Sequence, residues 1–404
     1  MIKKKKALLI TYAFSPIQAP ESFLSAKCLA KIQNFDIDIL TIETEIIQTL
    51  SDNIFENYVK ENFKRIYRAK KPKWLTKKLF DKLRIFHIFP DRFQLFNKNI
   101  VQKAIEIDIE KYDVVISWSQ WHSIHLAALK LKKIFPEIRW LAHFSDPWAD
   151  NPFLAKYLIY KPLQIPLERK ILKSCDAVNF TTKLSRDLIL KKYNYEIYNK
   201  SFITNHSYER NLFLEEEKSS DKFTISYFGN FYNDRNPISF FRAIEAIHFK
   251  DNNFLKDIKF RFIGRWIGKE NWQIERYKIP KEVIEIVQPV NYSTSLAMMK
   301  TSDLLLIIDG NFKSSVFFPS KLVDYMGAKK PILAITPPGS CHDIVSQIGG
   351  YVISNKSLSK DPMALARAIL KARKKTNFLG YGDSKYDNSF VSKQFEMALN
   401  LVCE

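Results

Sequence analysis

Three short stretches of the 404-residue chain carry side chains whose types and spacing could do chemistry. The first is FFPSKLVDYMGAKKPILA, Phe317–Ala334. Ser320 stands where a helix cap is expected, Lys321 falls in the first turn, and Asp324 lies one turn further on. Free N–H groups, the positive end of a helix and a lysine together suit a diphosphate. A carboxylate nearby can accept hydrogen bonds from two ribose hydroxyls. The same spacing also fits an amphipathic helix with Lys321 and Asp324 as an i,i+3 surface pair. The second stretch is YFGNFYNDRNP, Tyr227–Pro237. A strand ends at Gly229, Asn230 follows, and Arg235 stands six residues after the glycine. Glycine lets a phosphate approach the backbone, and an arginine can hold two of its oxygens at once. RFIGRW repeats the strand-then-glycine arrangement at Gly264. The alternative is an ordinary turn with a solvated arginine.

The third stretch is WLAHFSDPWADNPF, Trp140–Phe153, where an apolar run stops and His143, Ser145 and Asp146 appear within four positions, followed by Trp148. Upstream, His122 and His125 are spaced to share a helix face. Together with His143 and Asp146 these histidines have the donor types of a metal site, but no H-E-x-x-H pattern accompanies them, and no metal is expected. Ser145 lacks the G-x-S-x-G setting of a nucleophile. Asp146 before Pro147 can fix a loop, and Trp148 can be core.

The elements that position these residues follow from the apolar runs. Strands are read at Ala7–Thr11, Ile37–Ile42, Tyr112–Trp118, Ile138–Phe144, Asp176–Thr182 and Ser201–Asn205, with helices between them. Pro20 suits the first position of a helix, with Glu21 in its first turn. The polar run EEEKSSDK reads as a linker. The pattern then restarts at Phe223–Asn230, Ile258–Gly264, Val283–Val290, Ser302–Asp309, Lys330–Thr336 and Gly350–Ser354. Two α/β halves are expected: 1–210, a linker over 211–222, and 223–387, with 388–404 crossing back to the first half. Ligands bind at the carboxyl ends of strands in such sheets, and a cleft between two such halves is a favoured site.

Composition narrows the function classes. With 46% hydrophobic residues the chain can build real cores, and its 10 glycines leave no P-loop and no G-x-G-x-x-G. Four scattered cysteines, without C-x-x-C, point to a reducing compartment. No signal peptide and no run of eighteen apolar residues is present, so a cytoplasmic protein is expected. The net charge of +20 implies an anionic partner: nucleic acid, lipid headgroups or a phosphorylated substrate. The charge peaks between Lys60 and Arg84, with eleven basic residues and two acidic ones. There Leu75, Leu79, Leu83 and Phe86 form one helical stripe. The segment 70–86 thus reads either as a surface helix packed on its own domain or as an interfacial helix on an anionic membrane.

Taken together, TYAFSP, FPDRF, VVISWSQWHSIHLAALKLKK, WLAHFSDPWADNPF, LERKILKSCDAVNFTT, YFGNFYNDRNP and FFPSKLVDYMGAKKPILA resemble, in order and spacing, a bacterial branch of glycosyltransferase family 4. That resemblance implies a GT-B fold, two Rossmann-like domains facing a central cleft. It implies a retaining, metal-independent transfer of sugar from a nucleotide sugar to a glycan or lipid-linked acceptor in cell-envelope polysaccharide synthesis. No cofactor is expected. Gly229, Asn230, Arg235, Gly264, Ser320, Lys321 and Asp324 would bind the donor. His143, Asp146, Arg235 and Lys321 would carry catalysis. His122, Ser145 and Trp148 would line the acceptor side. The sequence departs from the family at three points. Gln18-Ala19-Pro20 replaces a glycine pair, Val316 stands at the first acid of the E-x7-E pair, and Asn230 stands where a basic residue is common. Two rival readings are a GT-B nucleotide-sugar epimerase and a basic nucleic-acid-binding protein. For the latter no helix-turn-helix, RNP or zinc-finger signature is present.

Overall fold

A computed structural model describes residues 4–47, 49–83, 90–154, 157–215, 221–232, 234–267, 273–374 and 384–404. The chain forms two compact units, Met1–Ser207 with Asn388–Glu404, and Tyr208–Asp387.

The first unit is built on β1 (Lys5–Ile10), β2 (Phe35–Ile42), β3 (Ile66–Ala69), β4 (Val114–Ser119), β5 (Arg139–Phe144), β6 (Ala177–Phe180) and β7 (Ser201–Ile203). All pair in parallel, in the order β3-β2-β1-β4-β5-β6-β7. The central strands are apolar on both faces because helices cover both. Ala7–Ile10 and all of β4 are buried. The order reverses between β1 and β4, so the loops leaving those two strands diverge and open a crevice at the carboxyl edge. The helix Asn388–Val402 packs on this unit. Ser392 Oγ donates to the Cys28 carbonyl at 2.6 Å, Glu396 accepts from the amides of Gln33 and Asn34, and the Phe395 ring lies 5.6 Å from Trp118.

The second unit contains β8 (Phe223–Phe228), β9 (Phe231–Tyr232), β10 (Ile258–Ile263), β11 (Trp266–Ile267), β12 (Ile284–Val287), β13 (Leu304–Ile308), β14 (Ile332–Ile335) and β15 (Tyr351–Ile353). Its main sheet runs β12-β10-β8-β13-β14-β15, again parallel, and reverses between β8 and β13. β9 and β11 form a small separate pair. Each unit is therefore a doubly wound, Rossmann-like sheet with its own core.

The basic segment differs from the helix expected over 70–86. Its first part is the edge strand β3, where Tyr67 and Arg68 alternate along a half-buried ribbon. The helix that follows is only Lys77–Lys82, capped by Thr76 Oγ1, which accepts from the Leu79 amide. Leu75 and Phe80 are buried while Leu79 is exposed, so the apolar anchor is not the Leu75–Leu79–Leu83 stripe. Arg84 and Phe86 lie outside the described residues. Among the described residues no helix is long and apolar enough to cross a membrane.

Candidate functional site

The crevice of the second unit gathers most of the charged residues singled out above. β8 is followed directly by Gly229, whose φ of +124° suits glycine. A Cβ there would stand 2.6 Å from Lys321 Nζ, so the glycine is what admits the lysine. Lys321 lies in the first turn of the helix Ser320–Gly327. Its ammonium sits 4.0 Å from the centre of the Tyr227 ring. Burial, and then the charge of Arg235, hold the Lys321 pKa well below the usual lysine value. No carboxylate among the described residues pairs with it, so it is not the surface partner of Asp324. Pro319, not Ser320, occupies the cap position. Ser320 and Lys321 thus open the helix with main-chain N–H groups that have no acceptor within it.

Arg235 closes a tight turn through paired main-chain bonds with Tyr232, both at 3.0 Å. Its guanidinium donates to the Tyr232 hydroxyl at 3.0 Å and lies 3.5 Å from Asp309 Oδ1. Asp309 follows β13 directly and is fully buried. It accepts from the Gly310 amide at 2.7 Å and from Thr336 Oγ1 at 3.2 Å. Arg235 and Lys321 thus stand together beside the buried Asp309 carboxylate. Two basic side chains converging at the carboxyl edge of a sheet suit an anion.

The loops around this pair are locked to one another. Gly264 has a φ of +141°, and a Cβ there would come within 2.3 Å of the Gly229 carbonyl. Asn230 Oδ1 accepts from the Arg265 amide at 2.8 Å, so the asparagine ties the loop after β8 to that after β10. Beyond Gly264 a cavity of about 660 Å³ opens at the carboxyl ends of β10 and β12, lined by Arg265, Trp266, Ile274, Glu275 and Gln288 among others. Asp324 is buried and accepts from the Tyr292 hydroxyl at 2.8 Å. The Val316 carbonyl accepts from Ser340 Oγ at 3.0 Å.

The first unit treats its polar cluster differently. Glu21, in the first turn of the helix Pro20–Leu29, accepts from Trp118 Nε1 at 2.8 Å and from Ser145 Oγ at 2.7 Å. It joins the loops that follow β1, β4 and β5. Burial, with help from Asp146, pushes its carboxyl up to about 8. Asp146 is half-buried and accepts from Gln120 Nε2 at 3.1 Å.

His143, read as catalytic, and His122 and Trp148, read as acceptor-side, are buried in the first unit together with His125. The His143 ring stacks on Trp118 at 3.6 Å, meets Phe395 edge-on, and is 1% exposed. Asn179 Oδ1 accepts from Thr204 Oγ1, so the Asn179 amide donates to His143 Nδ1 at 2.8 Å and leaves the proton on Nε2. Burial holds His143 neutral. The His122 ring lies parallel to Trp148 at 5.2 Å, and burial lowers its pKa to about 3. Trp148 is fully buried and donates to Gln164 Oε1. His125 Nδ1 and Ser117 Oγ share a hydrogen bond, and Ser117 Oγ also accepts from Trp140 Nε1, each at 2.8 Å. Among the described residues no three His, Cys, Asp or Glu side chains gather as metal ligands.

Asp309 and Glu21 escaped the sequence reading as site residues. The signal for Asp309 was an acid ending the apolar run LLLIID before a glycine; for Glu21 it was an acid directly after the helix-opening Pro20.

No protein-family model matches this chain, and no curated protein matches it in sequence. Solved structures do match over nearly its whole length. HepE from Anabaena, in complex with UDP-glucose, aligns with a TM-score of 0.69 at 11% identity, covering 98% of this chain and 99% of that one. Sucrose-phosphate synthase from Thermosynechococcus elongatus aligns at 0.65 and 13% identity, covering 99% of each chain. A putative UDP-N-acetylglucosamine 2-epimerase from Listeria monocytogenes aligns at 0.59 and 12% identity, covering 98% and 96%. The fold is GT-B, with two Rossmann-like domains.

Proposed function

We propose that this chain is a glycosyltransferase whose second unit binds a nucleoside diphosphate sugar. The observation that carries this reading is the convergence of Arg235 and Lys321 beside Gly229, with Asp309 buried next to them. HepE, of like fold, binds UDP-glucose, which supports the same ligand class here. Arg235, Lys321 and the open amides of Ser320 and Lys321 take up the negative charge that grows on the diphosphate as the sugar leaves. Asp324, oriented by Tyr292, takes the ribose hydroxyls, and the cavity beyond Gly264 takes the base. Asp146 and Gln120 are the first-unit groups that meet the acceptor, with Ser145 held behind them by Glu21.

Within this reading the enzyme belongs to glycosyltransferase family 4, and transfer is retaining and metal-independent. Its acceptor is a glycan or lipid-linked intermediate of a cell-envelope polysaccharide, and its place is the cytoplasm. The order and spacing of the seven motifs support the family, and four unpaired cysteines support the compartment. A second reading, a nucleotide-sugar epimerase, is favoured by the likeness to the putative 2-epimerase.

A screen of UDP-, GDP-, ADP- and CMP-sugars for binding and hydrolysis tests both. One diphosphate donor class is expected to bind and to be hydrolysed slowly, and Arg235→Ala is expected to lose at least about 100-fold in turnover while melting like the wild type. Isomerised sugar formed without any acceptor would establish the epimerase instead. Full turnover by Arg235→Ala would overturn both.

A further inference from the structure

Two features of the first unit lie outside the proposed donor chemistry, and the sheet topology brings them to one edge. The first follows β3. Lys70, Lys71, Lys73 and Trp74, with Lys98 and Lys103 from the helix Asn97–Glu106, line a cavity of about 740 Å³. Lys71 pairs with Glu45 and Lys103 with Glu106. Lys70, Lys73 and Lys98 have no carboxylate partner among the described residues. Trp74 is 59% exposed among these cations.

The second feature follows β5. Tyr157, Leu158, Ile159 and Leu163 are 41%, 90%, 62% and 43% exposed, in the turn before and the first turn of the helix Tyr160–Ser174. These side chains cannot fold inward, because the space beneath is already filled. Trp148 is buried and bonded to Gln164, the Ala149 amide donates to Glu168 at 2.9 Å, and the Tyr160 hydroxyl donates to the Trp148 carbonyl at 3.0 Å. The backbone is anchored and the apolar groups are held outward.

Because every strand of the sheet is parallel, both features leave from carboxyl ends. β3 and β5 are four strand steps apart, about 19 Å at the usual spacing. The Glu21–Ser145–Asp146 cluster spans from the helix after β1 to the loop after β5 on the same edge. We propose that this edge docks on an anionic lipid bilayer, with Tyr157–Leu163 entering the interface and the Lys70–Lys73–Lys98 cavity taking headgroup phosphates. A handful of apolar side chains from one short loop falls well short of the roughly 1,000 Å² that a stable protein partner needs, yet suits shallow insertion. An exposed tryptophan among lysines, in a chain of net charge +20, complements a negative surface. Bilayer docking stands apart from the donor chemistry. Its corollary, that the acceptor is lipid-borne, rests on the glycosyltransferase reading.

Co-sedimentation of the full chain with vesicles tests the docking without any nucleotide sugar. The wild type is expected to bind phosphatidylcholine vesicles containing about one third phosphatidylglycerol at least about tenfold better than pure phosphatidylcholine, at about 0.1 M salt. Leu158→Asp with Ile159→Asp should lose at least about tenfold of that binding. Lys70→Glu with Lys73→Glu should abolish its salt dependence. Both variants should melt like the wild type and keep nucleotide binding. A wild type that ignores anionic vesicles, or variants that bind them equally well, would overturn the proposal. So would a wild-type dimer by light scattering that Leu158→Asp with Ile159→Asp splits while vesicle binding stays intact.

Discussion

The carboxyl edges of the two sheets are built alike and charged differently. At the second, Arg235 and Lys321 face one buried acid, Asp309, and Lys321 rests on an aromatic ring with no carboxylate of its own. At the first, three buried side chains bond to neutral groups: Glu21 to Trp118 and Ser145, His143 Nδ1 to Asn179, and Trp148 to Gln164. Uncompensated charge costs stability and persists where a ligand neutralises it, whereas a satisfied hydrogen-bond network holds loops in place. The comparison teaches that the presence of His, Ser and Asp at a strand end is a weaker sign of chemistry than the balance of charge around them.

Three substitutions would break or sharpen this contrast. The largest effect is expected at His143. Truncation to alanine opens a cavity beneath Trp118 and Phe395 and strands the Asn179 amide, costing about 2–3 kcal/mol by chemical denaturation. Nucleotide affinity should not change. A His143→Ala variant of unaltered stability and weakened donor binding would put the first unit back among the binding surfaces. Next comes Lys321→Ala, which should weaken nucleoside diphosphate binding about 30-fold, or about 2 kcal/mol, while leaving stability equal or higher, since a desolvated cation is removed. A loss of stability there would mean that the lysine is a strut.

The last expectation concerns a slope with pH rather than a single loss, at Glu21. Its carboxyl is raised in the folded state from an ordinary 4.5 to about 8, so the folded protein holds a proton that the unfolded chain releases. That stabilisation is complete below about pH 4.5 and declines as pH rises towards 8, by at most about 1.4 kcal/mol per pH unit. Glu21→Gln, which keeps an acceptor oxygen but cannot ionise, should show a flatter decline over the same window in thermal melts. An identical slope in both proteins would remove the buried acid from the account.

Much of the architecture was legible because parallel strands covered on both faces leave apolar runs such as ALLI, VVISW and LLLII. β3 was not, because an edge strand is only half-buried and the lysines around Ile66–Ala69 mask its pattern. The helix stripe over 70–86 failed for a related reason: Leu75 lies before the Thr76 cap, so its burial owes nothing to helical spacing. At the site, Arg235, Lys321 and Gly229 could be named because strand-glycine-arginine and helix-start lysine are local patterns. The burial of His143 was not legible because the residues around it, Trp118, Asn179 and Phe395, come from three other elements up to 252 positions away in the chain. Asp309 gains its meaning only when β13 is laid beside β8, which no local spacing reveals.

The central claim is that the second unit carries an anion site made by Arg235 and Lys321. Calorimetric titration of the wild type with UDP and with uridine tests it directly, repeated for Arg235→Ala and for GDP and ADP with their nucleosides. The account predicts that one diphosphate binds at least about 100-fold more tightly than its nucleoside, that Arg235→Ala removes most of this difference, and that binding takes up protons at alkaline pH as the anion restores the charge on Lys321. Equal affinity for nucleoside and nucleoside diphosphate, or an undiminished diphosphate preference in Arg235→Ala, would contradict it.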